Sequence, residues 1–530
     1  MTSQAPPTQS QELWTPQSWR SKPVGQPVHY PSPTSTLPQS DATEPDPVLW
    51  RRKQGLEEVV QRLKTLPPIV SAVEIERLKS NLRSVAEGKA FLLQGGDCAE
   101  LFDYCSSEKI EHRLSLLLSM SLILIWGMKV PVVRVARMGG QYAKPRSSPT
   151  EKLPDGREVP SFRGHNVNGI SPSDRLPDPE RLLSAYFHSA ATVNHVRSLL
   201  SSGFASLPTS KGEAVPWSLP LTHVRSPELL KQYEEIVQNL SQALEFMSVI
   251  GVDRGGGAGG TLDSAEVYVS HEALMLEYEA ALTRLLPIPP FAASHPGEKG
   301  YYCTSAHFVW IGDRTRDLSG AHIEFFRGLR NPIGIKVGPS MQPDELVRLL
   351  DIVNPEREVG KVTLIGRYGA EKVEQHLPGH ILAVQQSPHN GTVIWQSDSM
   401  HGNGKPSQLH PGVKTRHMHD IVSELSSSLR IHAQLGSRLG GVHLEVTGDL
   451  DEEGRSVTEC LGGSMRLEEE SLGLRFESYC DPRLNFEQSL DIAFLLSQAS
   501  GGRGRGRETS KMIYEELASR PGSVDSRAGK

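Results

Sequence analysis

The chain is sparing with cysteine, with long apolar runs and with net charge, and each shortage excludes a class of protein. Five cysteines in 530 residues, at positions 98, 105, 303, 460 and 480, form an odd and scattered set. That spacing does not make a disulfide framework, and the default reading of each is a small buried core residue. No uninterrupted apolar run reaches the roughly 18 residues that a membrane-spanning helix requires, so no membrane segment is expected. A formal net charge of −6, with 22% charged residues, gives no electrostatic basis for nucleic acid as the main partner. The opening MTSQAPPTQSQELW has neither the apolar core of a signal peptide nor the Arg-rich pattern of a transit peptide. A cytoplasmic location is the resulting expectation.

Residues 1–47 are rich in Pro, Ser, Thr and Gln and bury too little apolar surface to fold alone. Trp14, Trp19 and Tyr30 interrupt this stretch, so part of it is expected to pack on the body as an extended arm. At the other end, residues 499–530 contain the run GGRGRGRETSK and read as a solvated tail. Between them, residues 48–498 repeat one theme: a short β-rich apolar run followed by a helical pattern. The runs are 90–94, 132–136, 267–270, 307–312, 333–338, 362–366, 392–396 and 442–446. Helical patterns cover 109–126, 181–200, 227–248, 271–286, 342–353, 413–435 and 485–498.

Near-continuous apolar strands alternating with helices indicate a parallel sheet covered on both faces. Eight of them indicate a closed (β/α)8 TIM barrel, here with an N-terminal extension and extra helices and insertions. The third run, VYVS, is short and follows irregular sequence, which leaves a doubly wound open sheet as the alternative. Residues 138–180 read as a long functional loop, and 202–225 and 251–260 as insertions. The Gly-rich stretch GVDRGGGAGG lacks the Lys-Ser/Thr ending of a phosphate loop and reads as a linker.

A parallel barrel carries its active site at the carboxyl ends of its strands. Those positions here are polar and reactive. Arg137, Arg314, Lys336 and Arg367 would put four cations at one mouth, where Asp and Glu could supply part of their pairing and phosphate or carboxylate ligands suit the rest. Cys98, His401, Glu445 and Asp481 bring a thiolate, an imidazole and two carboxylates, which could bind a divalent first-row metal. Each also has a plain reading as a core cysteine, a loop histidine or a surface acid. Spacing alone leaves that choice open.

At these residues the chain resembles the type II (plant-like) 3-deoxy-D-arabino-heptulosonate 7-phosphate (DAHP) synthases. The segments that carry the resemblance include WTPQSWRSKP (14–23), FLLQGGDCAE (91–100), RVARMGGQYAKPRS (134–147), HFVWIGDRTRDLSGAH (307–322), NPIGIKVGPS (331–340), IGRYGAEKV (365–373), SDSMHGN (397–403), GGVHLEVTG (440–448) and YCDPRLNFEQSLDIAF (479–494). They run in family order from Trp14 to about Leu496. The resemblance implies a barrel enzyme that joins C3 of phosphoenolpyruvate to the aldehyde carbon of erythrose 4-phosphate, while water adds at C2 and phosphate leaves. That reaction is the first step of the shikimate pathway.

The resemblance also implies roles. Cys98, His401, Glu445 and Asp481 match metal-ligand positions, with Mn²⁺ the leading metal and Co²⁺ another. Arg137, Asp313, Arg314, Lys336 and Arg367 match positions that bind phosphoenolpyruvate, and Lys144 and Ser147 positions associated with erythrose 4-phosphate. His401 and Glu272 are candidates for the acid or base, and a homo-oligomer is expected. Cys480, beside Asp481, is expected near Cys98, where oxidation of a metal-free enzyme would link the two. The chain departs from the family pattern at Asp313, where Glu is usual, and at Ser399, where Pro is usual. The other readings are the same reaction serving a secondary-metabolite pathway, a catalytically silent relative, and a metal aldolase for another phosphosugar.

Overall fold

The computed structural model describes residues 14–24, 47–145, 148, 150–153, 156–205, 226–249, 265–472, 478 and 480–500. Its elements in chain order are α1 (Pro47–Thr65), α2 (Ala72–Ala86), β1 (Phe91–Gly96), α3 (Ser107–Met128), β2 (Val132–Arg137), β3 (Thr150–Lys152), β4 (Glu158–Pro160), α4 (Glu180–Ser201) and α5 (Pro227–Val249). There follow β5 (Val267–Glu272), α6 (Leu276–Ala281), β6 (Thr283–Pro287), β7 (Lys299–Cys303), β8 (Phe308–Ile311), α7 (Ala321–Phe326), β9 (Ile333–Val337) and α8 (Pro343–Val353). The last are β10 (Val362–Gly366), α9 (Val373–Gln385), β11 (Ile394–Ser397), β12 (Gly404–Pro406), β13 (Lys414–Arg416), α10 (Met418–Gln434), β14 (Leu439–Glu445) and α11 (Phe486–Ser500).

Eight of the strands close into one barrel in the order β1-β14-β11-β10-β9-β8-β5-β2. Every neighbouring pair in it is parallel. All eight coincide with the apolar runs of the sequence, and the open-sheet alternative falls away. Val, Ile, Leu and Phe dominate these strands because both faces are covered, one by the barrel interior and one by helices. Inside, Leu92, Val133, Val135, Tyr268, Phe308, Trp310, Ile365 and Ile394 form one cluster with Leu78, Leu82 and Val85 of α2. Helix α2, opened by a capping box between Ser71 and Glu74, therefore closes the amino end of the barrel. There is no spare room: a Cβ on Gly334 would lie 2.8 Å from both Ile365 and Trp310.

Several elements differ from expectation for physical reasons. Within 271–286 only α6 is helical; β5 runs on through Glu272, and Thr283–Pro287 pairs antiparallel with Lys299–Cys303, ending where Pro287 cannot continue a helix. Within 413–435, Lys414–Arg416 pair with Gly404–Pro406, and the helix begins at Met418. The long loop 138–180 holds the small β3–β4 hairpin. Helices α1, α2, α7 and α9 lie outside the helical patterns of the sequence; α9 carries Pro378 inside it, a residue that argues locally against a helix.

Of the N-terminal arm, residues 14–24 are described, and they dock on the barrel. Trp14 donates its indole N–H to the Glu324 carbonyl at 2.8 Å and meets Tyr301 edge-on, Trp19 is buried, and Ala321 N–H reaches the Pro23 carbonyl. Tyr30, the insertion residues 206–225 and 251–260, and the tail from 501 lie outside the described residues. Helix α3 is, among the described residues, the one helix long and apolar enough to cross a membrane. It is a core helix, packed on α11 so closely that a Cβ on Gly127 would collide with Ser497.

Two outcomes test this fold. Trp310→Ala, which empties the centre of the barrel, is expected to cost about 3–5 kcal/mol in urea unfolding. Burial holds the His432 imidazole down at about 3, whereas in the unfolded chain it titrates near ~6.5. The unfolded state thus takes up the proton first, so this contribution to stability is complete above about pH 6.5 and shrinks as the pH falls toward 3. Denaturation at pH 6.5 and pH 5 is expected to show wild type losing about 2 kcal/mol more than His432→Asn.

Candidate active site

Strand β1 ends in Gly96, which pairs with Arg137 of β2 on one side and Glu445 of β14 on the other. The φ of Gly96 is +143°, and a Cβ there would lie 2.5 Å from the Arg137 carbonyl oxygen, so glycine is needed for the backbones to meet. Arg137 is thereby drawn across the mouth. Its Nε donates to the Asp97 carbonyl at 2.8 Å, and one terminal nitrogen donates to the Cys98 carbonyl and Glu445 Oε1, each at 3.1 Å.

Glu445 is fully buried. Its Oε1 lies 3.0 Å from His401 Nε2, and its Oε2 2.8 Å from the Arg416 guanidinium. Burial alone would raise this carboxyl, but His401, Arg416 and Arg137 hold it well below the usual range. His401 Nδ1 lies 2.8 Å from Asp398 Oδ2, and Asp398 also accepts the backbone N–H of Met400 and of His401 and pairs with Lys336. Asp398 is likewise pushed up by burial and pulled well below the ordinary value by His401 and Lys336. Burial pulls the Lys336 ammonium down, with Asp398 opposing.

Asp481 arrives from outside the barrel. The segment around it docks beside β14, with Leu484 N–H on the Glu445 carbonyl at 2.9 Å and Thr447 N–H on the Leu484 carbonyl at 2.8 Å. This brings Asp481 Oδ2 to 3.7 Å from Cys98 Sγ across 383 positions of sequence. Ligand atoms of Cys98, Glu445 and Asp481 all lie within 4.8 Å of one another. A thiol and two carboxylates at that spacing fit a divalent metal chemically. His401 is outside this trio but touches it through Glu445. Lys144 Nζ lies 2.9 Å from Cys98 Sγ and 2.7 Å from Asp481 Oδ2. Burial raises the Cys98 thiol, and a hydrogen bond with Cys480 adds to the rise.

The remaining cations are not simply awaiting anions. Arg367 pairs with Asp313 at 2.7 Å and donates to the His401 carbonyl at 3.2 Å. Asp313 also accepts from Arg316 at 3.1 Å. So Arg137, Lys336 and Arg367 each hold an acid from the strand end two places round the barrel, and the side chains supply more of the pairing than the sequence suggested. Glu272 ends β5 with its N–H on Gln141 Oε1 at 2.9 Å. Burial pushes its carboxyl up, against the pull of Lys336, His401, Arg137 and Arg314. Ser147 lies outside the described residues.

Sequence reasoning passed over the charges behind this rim. Arg483 binds Glu459 through two nitrogens, at 3.0 and 2.7 Å, and Asp97 at 2.6 Å. Arg113 contacts the same Asp97 at 2.9 Å and Asp449 at 3.4 Å. Asp97 precedes Cys98, and Arg483 follows Asp481 by two residues, so one buried ion network holds the two arms together. Arg416, on β13, reaches Glu445 from a hairpin with no sequence signature. Adjacency to Cys98 and Asp481 was the available signal for Asp97 and Arg483; for Arg416 there was none. Glu100 accepts the N–H groups of Gly139, Gly140 and Gln141 at 2.8–2.9 Å and sets the loop that carries Lys144.

A closed parallel barrel with reactive acids, cations and a thiol gathered at its carboxyl-end mouth defines a (β/α)8 barrel of the enzyme type. Residues 34–497 match the Class-II DAHP synthetase family, and the chain belongs to that family. It is 50% identical over 489 residues to a phospho-2-dehydro-3-deoxyheptonate aldolase of Neurospora crassa, covering 91% of this chain and 94% of the relative. A protein of the same name from Streptomyces coelicolor is 40% identical over 483 residues, 91% of this chain and 96% of its own length. Phospho-2-dehydro-3-deoxyheptonate aldolase AroG of Mycolicibacterium smegmatis is 42% identical over 438 residues, 82% and 88% of the two chains.

The network behind the rim gives a stability test. Asp97→Ala leaves Arg113 and Arg483 short of a buried counter-charge and is expected to cost about 3–5 kcal/mol in equilibrium unfolding.

Proposed function

We propose that the chain is a metal-dependent DAHP synthase, a transferase. It condenses phosphoenolpyruvate with D-erythrose 4-phosphate and water to give DAHP and phosphate, at the entry to aromatic amino acid biosynthesis. The observation that carries this reading is the meeting of the Cys98–Glu445–Asp481 group with Arg137, Lys336 and Arg367 at one barrel mouth, in a chain of this family. Cys98, His401, Glu445 and Asp481 would hold the metal, Mn²⁺ foremost and Co²⁺ as another occupant. Bound there, it would supply a Lewis acid for the aldehyde oxygen.

The chain's own residues do the rest. Arg137, Arg314, Lys336 and Arg367 grip the phosphate and carboxylate of phosphoenolpyruvate, with Asp313 yielding part of Arg367 to the incoming anion. Exchange of a carboxylate for a phosphate keeps these cations paired throughout, so binding costs no bare buried charge. Fixing C3 against the aldehyde contributes roughly 7–11 kcal/mol toward a bimolecular barrier. Lys144 and Ser147 receive erythrose 4-phosphate. Asp398 orients the His401 ring, as carboxylates behind ligating histidines do. With Nδ1 of His401 held by Asp398 and Nε2 facing the metal position beside Glu445, Glu272 is the better proton carrier, because burial keeps its carboxyl protonated to higher pH than an ordinary glutamate. A cytoplasmic, homo-oligomeric enzyme completes the proposal.

The test mixes purified protein with phosphoenolpyruvate and erythrose 4-phosphate and follows loss of the enol absorbance. Turnover is expected with Mn²⁺ and none after EDTA treatment; inactivity in Mn²⁺, Co²⁺ and Mg²⁺ alike would sink the reading. Cys98→Ala is expected to abolish turnover with the circular dichroism unchanged, and retained activity would remove Cys98 from the ligand set.

A further inference from the structure

One buried carboxylate outside the barrel touches neither metal position nor anion position, yet it holds the loops that carry both. Glu424, on α10, is fully buried. Its Oε1 accepts the backbone N–H of Tyr368 at 2.8 Å and of Gly369 at 2.9 Å, directly after Arg367. Its Oε2 accepts Asn403 Nδ2 at 2.7 Å, two residues beyond His401. Asn403 closes the circuit: its Oδ1 accepts Ala370 N–H at 2.9 Å, and its Nδ2 also donates to the Ser399 carbonyl at 2.8 Å. The loops after β10 and β11 are thus joined through one acid and one amide.

The backbones themselves meet at this point. A Cβ on Gly369, whose φ is +84°, would lie 2.8 Å from the Gly402 carbonyl oxygen, and one on Gly402 would lie 2.3 Å from Gly369 nitrogen. Arg367 also donates to the His401 carbonyl at 3.2 Å. Neither loop can shift without moving the other. A buried carboxylate is a costly way to fill space, since an apolar side chain of similar volume would pack as well without desolvating a charge. Its use here is explained by the directed hydrogen bonds that it makes to two separate loops.

We propose that Glu424 is a positioning residue that couples metal binding at His401 to phosphoenolpyruvate binding at Arg367. The proposal rests on the functional reading above for what those two loops hold. Coupling of this kind is reciprocal: each ligand tightens the other by the same factor. The isosteric Glu424→Gln leaves an oxygen for the Tyr368 and Gly369 N–H groups but turns an NH2 toward the Asn403 NH2, donor against donor. It therefore breaks the Glu424–Asn403 part of the link, leaving the first loop anchored and the direct Asn403–Ala370 bond in place. Asn403→Ala removes that bond and the Asn403–Ala370 bond together and keeps the Glu424 carboxylate in place.

The experiment titrates full-length protein with phosphoenolpyruvate by calorimetry, with and without Mn²⁺, and separately with Mn²⁺ alone, reading free Mn²⁺ by electron paramagnetic resonance. Wild type is expected to bind phosphoenolpyruvate at least about fivefold tighter with Mn²⁺, the lower end of usual coupling factors. That factor is expected to fall in Glu424→Gln and to fall further in Asn403→Ala, with the melting temperature followed in parallel. A purely structural role would lower the melting temperature and leave the factor unchanged. Wild-type coupling retained in both variants, or no coupling in wild type, would overturn the proposal. Wild type that binds neither Mn²⁺ nor phosphoenolpyruvate would instead overturn the functional reading on which it rests.

Discussion

The carboxylate of Glu445 is the charge on which the mouth of this barrel is built. It ends the strand β14 with no exposure to solvent, and Arg137, His401 and Arg416 converge on it from β2, the loop after β11, and β13. A carboxylate in such a place is tolerable only with its oxygens occupied. The requirement runs outward. Arg137 also bonds the Asp97 and Cys98 carbonyls, and His401 passes the constraint to Asp398, which holds Lys336. The positions of Arg137, His401 and, through Asp398, Lys336 are tied to this one buried acid.

A buried ion network behind the rim does for the loops what Glu445 does for the strand ends. Asp97, Arg113, Asp449, Glu459 and Arg483 form a buried network that ties β1 to the segment bearing Asp481. Glu424 and Asn403 tie the loop of Arg367 to that of His401. Directional bonds of this kind fix positions that apolar packing alone would leave loose. The two departures from the family pattern lie inside this frame. Asp313, with its shorter side chain, still spans Arg367 and Arg316. Ser399 keeps its carbonyl on Asn403, although its hydroxyl is buried and makes no hydrogen bond.

The barrel strands were legible because a strand covered on both faces must be apolar throughout, and the eight runs stand out against polar connections. Strand order was legible too, since parallel strands joined by helices place sequential elements side by side. Legibility failed where local propensity and tertiary demand part company. Helix α2 was overlooked, although its Leu78, Leu82 and Val85 close the barrel floor. Residues 283–286 fall within the helical pattern of 271–286, but pairing of Thr283–Pro287 with Lys299–Cys303 decided the matter.

By itself the sequence determined the barrel, the reactive residue at each strand end and the family pattern that groups them, because these depend on residue type and on order along the chain. Only the tertiary structure decided which charges touch. Cys98 and Asp481 are 383 positions apart, and Arg416 reaches Glu445 from a hairpin no local pattern announces. It also decided that Arg137, Lys336 and Arg367 already hold carboxylates, so these cations are not bare charges. Coulomb energy depends on distance and burial, and neither is written in the order of residues.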